Sequence, residues 1–148
     1  MIVPDINLLL YAYDSGSPYH QKAASWWKEC LSGTETIGLT HAVVFGFMCV
    51  ATNARAFRSP MTAAEAAHHV RSWLKQSVVH VINVGSEEVE PVLDLLEKLG
   101  TAGNLVTDAQ IASIAIAHKA VVHTSDADFL RFSRLKWINP ITGASSRS

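Results

Sequence analysis

Residues Gly103–Phe129 read G-N-L-V-T-D-A-Q-I-A-S-I-A-I-A-H-K-A-V-V-H-T-S-D-A-D-F. Thr107 suits a helix cap, with Asp108 in the first turn. Ile111, Ile114, Ala115 and His118 then recur at i, i+3, i+4 and i+7, the stripe of a helix. Lys119-Ala120 make a turn, Val121–Thr124 a short apolar strand, and Ser125-Asp126-Ala127-Asp128 an acidic loop. A helix from Asp108 to His118 covers roughly 15 Å at about 1.5 Å per residue. Four strand residues return roughly 13 Å at about 3.3 Å each. If strand and helix pack antiparallel, Asp108 and Asp126 finish at the same level. Two carboxylates so placed repel unless a cation or a proton sits between them. The stretch therefore points to a metal site.

The flanking chain repeats the alternation of strand and helix. Ile2-Val3 is a minimal strand ended by Pro4, which a strand end tolerates. Asp5-Ile6-Asn7 caps a short helix, Leu8–Tyr13, and a second helix spans Tyr19–Leu31. Thr36–Thr40 reads as a strand. His41–Thr52 is apolar almost all round, the mark of a buried or interface helix. A basic loop, Asn53–Pro60, precedes a helix over Met61–Gln76 with a capping box at Thr62 and Glu65. Val78–Val84 reads as a strand and Ser86–Leu99 as a helix, in which Pro91 signals a kink or a later start. Phe129–Leu135 is a turn of helix, Lys136–Asn139 a strand, and Gly143–Ser148 a polar tail. Short apolar strands alternating with helices predict a three-layer α/β/α domain with a central, mainly parallel sheet. Ligands bind such sheets beyond the carboxyl ends of the strands. Asp5 and Asp126 both follow strands, and Asp108 shares their edge by the return geometry.

A chain of 148 residues, 49% hydrophobic and 17% charged, fits one domain over 1–148 with a real core and excludes disorder. No apolar run reaches the roughly 18 residues of a membrane span. Met1–Asp5 lacks a basic leader, so a cytoplasmic protein with reduced Cys30 and Cys49 is expected. The net charge of −1 opposes a broad nucleic-acid coat protein but not a nuclease. The phosphate loop G-x-x-x-x-G-K and the elbow G-x-S-x-G are both absent. His68-His69 lacks a protease-type Glu and is expected to face solvent; His123 is expected in the core or at an edge. Trp26, Trp27, Phe45, Phe47 and Met48 are expected as core or dimer contacts. Oxygen-only ligands suit Mg²⁺ or Mn²⁺ rather than Zn²⁺.

Asp5-x-Asn7, G-N-L-V-T-D-A at 103–109 and T-S-D-A-D-F at 124–129, in this order, resemble the motifs of PIN-domain ribonucleases. The loop A-T-N-A-R-A-F at 51–57 and the ending L-K-W-I-N-P at 135–140 fit the same pattern, which is most similar to VapC-type toxins of toxin–antitoxin pairs. The resemblance implies a PIN-like fold and an Mg²⁺-dependent endoribonuclease, with Mn²⁺ as a substitute. It also implies a homodimer neutralised by a VapB-type antitoxin. Asp5, Asp108 and Asp126 would be catalytic metal ligands, with Asp128 in or beside the metal shell and Asn7 orienting Asp5. Arg55, Arg58 and Arg131 are candidate RNA contacts, and Arg134 is a further phosphate candidate. One element of the pattern is missing: the Glu usual six residues past a Ser or Thr falls, counting from Thr40, on Gly46. Two alternatives stand beside this reading. One is an aspartate-nucleophile phosphohydrolase of haloacid-dehalogenase type, opposed by Asn7 where a second Asp is expected. The other is a degenerate PIN-like binding module, suggested by Gly46.

Overall fold

The computed structural model describes residues 1–146. Its centre is a five-stranded sheet in the order β3-β2-β1-β4-β5, parallel throughout. The strands are β1 (Ile2–Pro4), β2 (Ile37–Leu39), β3 (Val79–Val81), β4 (Val121–His123) and β5 (Lys136–Ile138). Helices α1 (Ile6–Tyr13), α2 (His20–Ser32), α3 (His41–Ala51), α4 (Ala63–Leu74), α5 (Val89–Leu99) and α6 (Val106–Ala117) flank it. This is the expected three-layer α/β/α arrangement. The register is set by Ile2 opposite both Ile37 and Val121, and by Val122 opposite Trp137. β1 and β2 are buried along their length, as strands covered on both faces must be.

Edge strands are exposed and short. β5 carries Lys136 and is further covered where Ser145 bridges back to Ile138, which blunts an open edge. The tail over 143–146 is thus partly tied down; the remainder of the expected tail lies outside the described residues. No helix among the described residues is long and apolar enough to cross a membrane.

The core beneath α1, α2, α3 and α4 is aromatic. Trp73 packs edge-on against Trp27 at 5.5 Å and Phe47 at 4.9 Å, and its indole N–H donates to the Tyr13 hydroxyl at 2.7 Å. Trp27 and Phe47 are therefore core. Trp26 is buried and donates to His123 Nδ1 at 2.9 Å, which explains that histidine's half-buried position. Phe45 is 65% exposed. His68 faces solvent as expected, but His69 stacks on Tyr13 at 4.4 Å, so the pair is divided between solvent and core.

Several boundaries move for local reasons. The helix of the acidic stretch begins at Val106, fed by a 3-10 turn over Gly103–Leu105. Thr107 therefore lies inside the first turn and makes no cap. The turn starts at φ +56 on Gly103, a left-handed conformation that favours glycine. Helix α1 begins at Ile6, with the Asp5 carboxylate accepting from the Ile6 N–H. Pro91 marks the later start: Ser86–Glu88 is a 3-10 turn, and the proline falls in the first turn of α5, where its missing N–H is not needed. The capping box holds, with Thr62 Oγ1 accepting from the Glu65 N–H at 3.1 Å. The turn expected over Phe129–Leu135 is a 3-10 helix at Ala127–Arg131, because Asp126 caps it two residues earlier.

Candidate metal centre

The chain adds β2 and β3 on one side of β1, then returns to add β4 and β5 on the other. The order reverses between β1 and β4, and a crevice opens beyond the carboxyl ends of strands at such a point. Asp5 leaves the end of β1, and Ser125-Asp126 leave the end of β4. The two exits are held together by the Asp5 N–H donating to the His123 carbonyl at 3.0 Å. Helix α6 precedes β4 and delivers Asp108 from its first turn, where the helix dipole favours an acid. Its tight return, with Ala120 N–H donating to the Ala115 carbonyl at 2.8 Å, sends β4 back toward the helix start.

One carboxylate oxygen from each of Asp108, Asp126 and Asp128 lies within 4.8 Å of the others. The expected meeting of Asp108 with Asp126 is present, and Asp128 joins them. Asp5 stands outside this trio but close enough for its charge to act on Asp108. It is 3% exposed. Its Oδ1 accepts from the Ile6 N–H at 2.7 Å and its Oδ2 from the Thr124 hydroxyl at 2.9 Å. The same hydroxyl accepts from the Asp126 N–H at 2.9 Å, so Thr124 fixes both acids. Asp126 Oδ1 in turn accepts from the Asp128 N–H at 2.9 Å.

Electrostatics separates this cluster from ordinary caps. Burial pushes the Asp5 carboxyl up to about 6, against the hydrogen bonds from Thr124 and Ile6, and the charge of Asp126 adds to the rise. Burial, followed by the charges of Asp5, Asp126 and Asp128, pushes Asp108 up to about 7. Among the described residues no basic side chain pairs with these acids: the one ion pair joins the Met1 ammonium to Glu35 at 3.4 Å. A cation bonded at about 2.0–2.1 Å, as Mg²⁺ is, needs opposing oxygens about 4.2 Å apart. The donor set is oxygen only, so the residues fit a hard divalent ion.

Three residues at the site had no assigned role in the sequence. Thr124 sits inside the T-S-D-A-D-F motif, but its bond to Asp5 spans 119 residues. Tyr11 stacks on Tyr19 at 5.2 Å. Its phenol is raised by burial first, then by the charges of Tyr19, Asp126 and Asp5, which places it beside the acids. Ile6 occupies the space beside Gly46: a Cβ on Gly46 would meet the tip of the Ile6 side chain and stand 3.1 Å from Cγ1, so a side chain there requires Ile6 to shift. The space a side chain would need there is filled by the residue next to Asp5.

Asn7 makes no hydrogen bond to Asp5; the Thr124 hydroxyl and the Ile6 amide do that work. Arg131 is exposed at the end of the 3-10 turn that carries Asp128, whereas Arg55 and Arg58 are exposed on the loop between α3 and α4. Arg134 lines a separate depression with Asp94 and Lys98.

The filled space at Gly46 leads to a stability prediction. Overpacking costs roughly 1–3 kcal/mol, against about 1 kcal/mol gained by replacing a helical glycine. Gly46→Glu is therefore expected to lower the urea midpoint. A double-mutant cycle with Ile6→Ala is expected to give a coupling of roughly 1 kcal/mol; additive effects would show that Ile6 is not the obstacle.

Comparison with known proteins adds family and fold. Residues 2–135 match the PIN domain family. The chain is 46% identical over 141 residues to Ribonuclease VapC33 of Mycobacterium tuberculosis, covering 95% of this chain and 99% of that one. Among solved structures, the Mycobacterium tuberculosis toxin VapC20, described as cleaving the sarcin-ricin loop, superposes with a TM-score of 0.68 at 18% identity, over 88% of this chain and 93% of that chain. The VapBC2 complex of Rickettsia felis, bound to a promoter DNA fragment, gives a TM-score of 0.66 at 21% identity, over 94% and 98%.

Proposed function

The chain belongs to the PIN-domain family, in its VapC ribonuclease branch, and on that premise we propose that it is a divalent-metal-dependent endoribonuclease. The observation that carries this reading is a set of four acids at the switch point of the sheet with no basic partner among the described residues. Asp108, Asp126 and Asp128 would hold the ion, and the nearby Asp5 would add its charge. Mg²⁺, or Mn²⁺ in its place, supplies a Lewis acid for a phosphate oxygen and lowers the pKa of an attacking water. Thr124 keeps Asp5 and Asp126 in fixed relation while the site is loaded. Asp5 is ill suited to the alternative role of phosphohydrolase nucleophile, because it is buried and both its oxygens accept hydrogen bonds.

The test is cleavage of RNA in Mg²⁺ or Mn²⁺ against EDTA. Cleavage is expected only with metal, leaving a 5′-phosphate and a 3′-hydroxyl. Cleavage that persists in EDTA would overturn the reading. Metal binding without any cleavage would favour the degenerate binding module instead.

In the same reading the protein is the toxin of a toxin–antitoxin pair, acting as a homodimer in the cytoplasm and neutralised by a VapB-type antitoxin. Support comes from the VapC33 relative and from exposed apolar side chains that suit protein partners, Phe45 on α3 and Val89 and Leu93 on α5. Arg131 and, more remotely, Arg55 and Arg58 contact the RNA backbone. For single strands the logarithm of affinity falls with that of salt by about 0.7 per phosphate contact. Arg131→Ala is expected to weaken RNA binding and reduce that slope by roughly one contact, measured by fluorescence anisotropy across a salt series. An unchanged slope would remove Arg131 from the RNA path.

A further inference from the structure

Beside the metal centre a slot of about 170 Å³ opens between the loop after β4 and the chain following β5. Ser125, Asp126, Leu130, Trp137, Asn139 and Ala144 line it. Asp126 belongs to both the slot and the acid trio. The walls are mainly apolar: Trp137 is half-buried with one side packed against the core, and Leu130 is 54% exposed. Thr124, Ser125 and Asp126 line the slot's side toward the acids, and Asn139 supplies a carboxamide. Its Oδ1 accepts from the Ile141 N–H at 2.9 Å and from the Thr142 N–H at 3.4 Å. The carbonyl is thus committed to the turn. The carboxamide NH₂ makes no hydrogen bond among the described residues and remains a donor.

We propose that this slot is a subsite for one nucleobase of the RNA strand, adjacent to the phosphate held at the acid trio. Trp137 and Leu130 bound the ring, and Asn139 Nδ2 donates to an acceptor on its edge. The inference rests on the ribonuclease reading above. The slot admits one heterocycle rather than a whole nucleotide. An aromatic wall with a fixed polar group beside it is how proteins take up unstacked bases. Its continuity with Asp126 places it where a strand leaving the metal must pass. Because the Asn139 oxygen is occupied, the subsite favours base edges that present a carbonyl over those that present an amino group.

The test uses a pool of RNA oligonucleotides randomised around the cleaved bond, digested with Mg²⁺ and sequenced at the new ends. Asn139→Asp keeps an oxygen for the Ile141 N–H but turns the donor into an acceptor; Leu130→Ala alters a wall without changing charge. The wild type is expected to show a base preference at one position beside the cleaved bond. Both variants are expected to flatten or shift that preference at that position alone, and Asn139→Asp to lose about tenfold in kcat/KM. Wild-type cleavage with unchanged profiles in both variants overturns the subsite while leaving the ribonuclease reading intact. So does a loss confined to binding of an antitoxin peptide. A wild type that cleaves nothing in the pool overturns both.

Discussion

Asp108→Asn is expected to lower single-turnover RNA cleavage by roughly 10³-fold while leaving the fold intact. Asp108 is the one acid that α6 brings to the crevice, and its oxygen closes the trio with Asp126 and Asp128. The amide preserves volume and position in the first turn, so the structural loss is limited to a dipole interaction of about 1 kcal/mol or less. The functional loss is larger, since removing an anionic donor costs the site both metal and the charge stabilisation the metal supplies. The sign of the pH dependence follows. In the metal-free protein Asp108 is raised to about 7 and Asp5 to about 6. Both must be ionised for tight binding, so metal affinity should climb as pH rises through that window, with protons released on binding. Calorimetry in buffers of different ionisation heat measures that release. A folded Asp108→Asn protein within tenfold of wild-type activity would remove Asp108 from the centre.

Asp5→Asn is expected to weaken cleavage and at the same time stabilise the metal-free protein. A buried carboxyl raised from the ordinary 3.8 to about 6 is more stable protonated. Its contribution to stability is fully present below pH 3.8 and is lost as pH rises through about 6. Above that, the ionised group costs on the order of 3 kcal/mol. The asparagine keeps an oxygen for the Ile6 N–H, and the Thr124 hydroxyl can turn to accept from the new NH₂. With some loss in that exchange, the net gain is roughly 2 kcal/mol, about 4–8 °C in melting temperature for a chain of this size. The gain should be present at pH 8 in EDTA and vanish near pH 4. Saturating Mg²⁺ should narrow it by stabilising the wild type more than the variant, which keeps the trio but lacks the neighbouring charge. A variant that melts lower than wild type at pH 8 would mean that Asp5 serves the fold chiefly as a helix cap.

The parts of this site that were legible in the sequence are those encoded between near neighbours. The helix stripe ending at His118 and the short strand after it were enough to bring Asp108 to Asp126. The Thr62–Glu65 box and the proline that delays α5 are similarly local. The Asp5–Thr124 bond joins the two ends of the chain, and no periodicity announces it. The absent Glu at position 46 could be counted, but the Ile6 side chain lying in that space depends on how α1 packs on α3. Asn7 stood at a plausible spacing to orient Asp5. The partner turned out to be a threonine hydroxyl, because β4 ends beside β1 and sets Thr124 against the carboxylate. The slot at Asn139 likewise exists only once the chain after β5 folds back beside the loop after β4.

The central claim is that the three aspartates and their buried neighbour form a divalent-metal centre. Anomalous diffraction from crystals soaked in Mn²⁺ tests it most directly. The expected result is a peak within bonding distance of carboxylate oxygens from Asp108, Asp126 and Asp128, lost in Asp108→Asn crystals treated alike. Saturating Mn²⁺ that leaves this crevice without a peak, in crystals of protein that cleaves RNA before soaking, would contradict it.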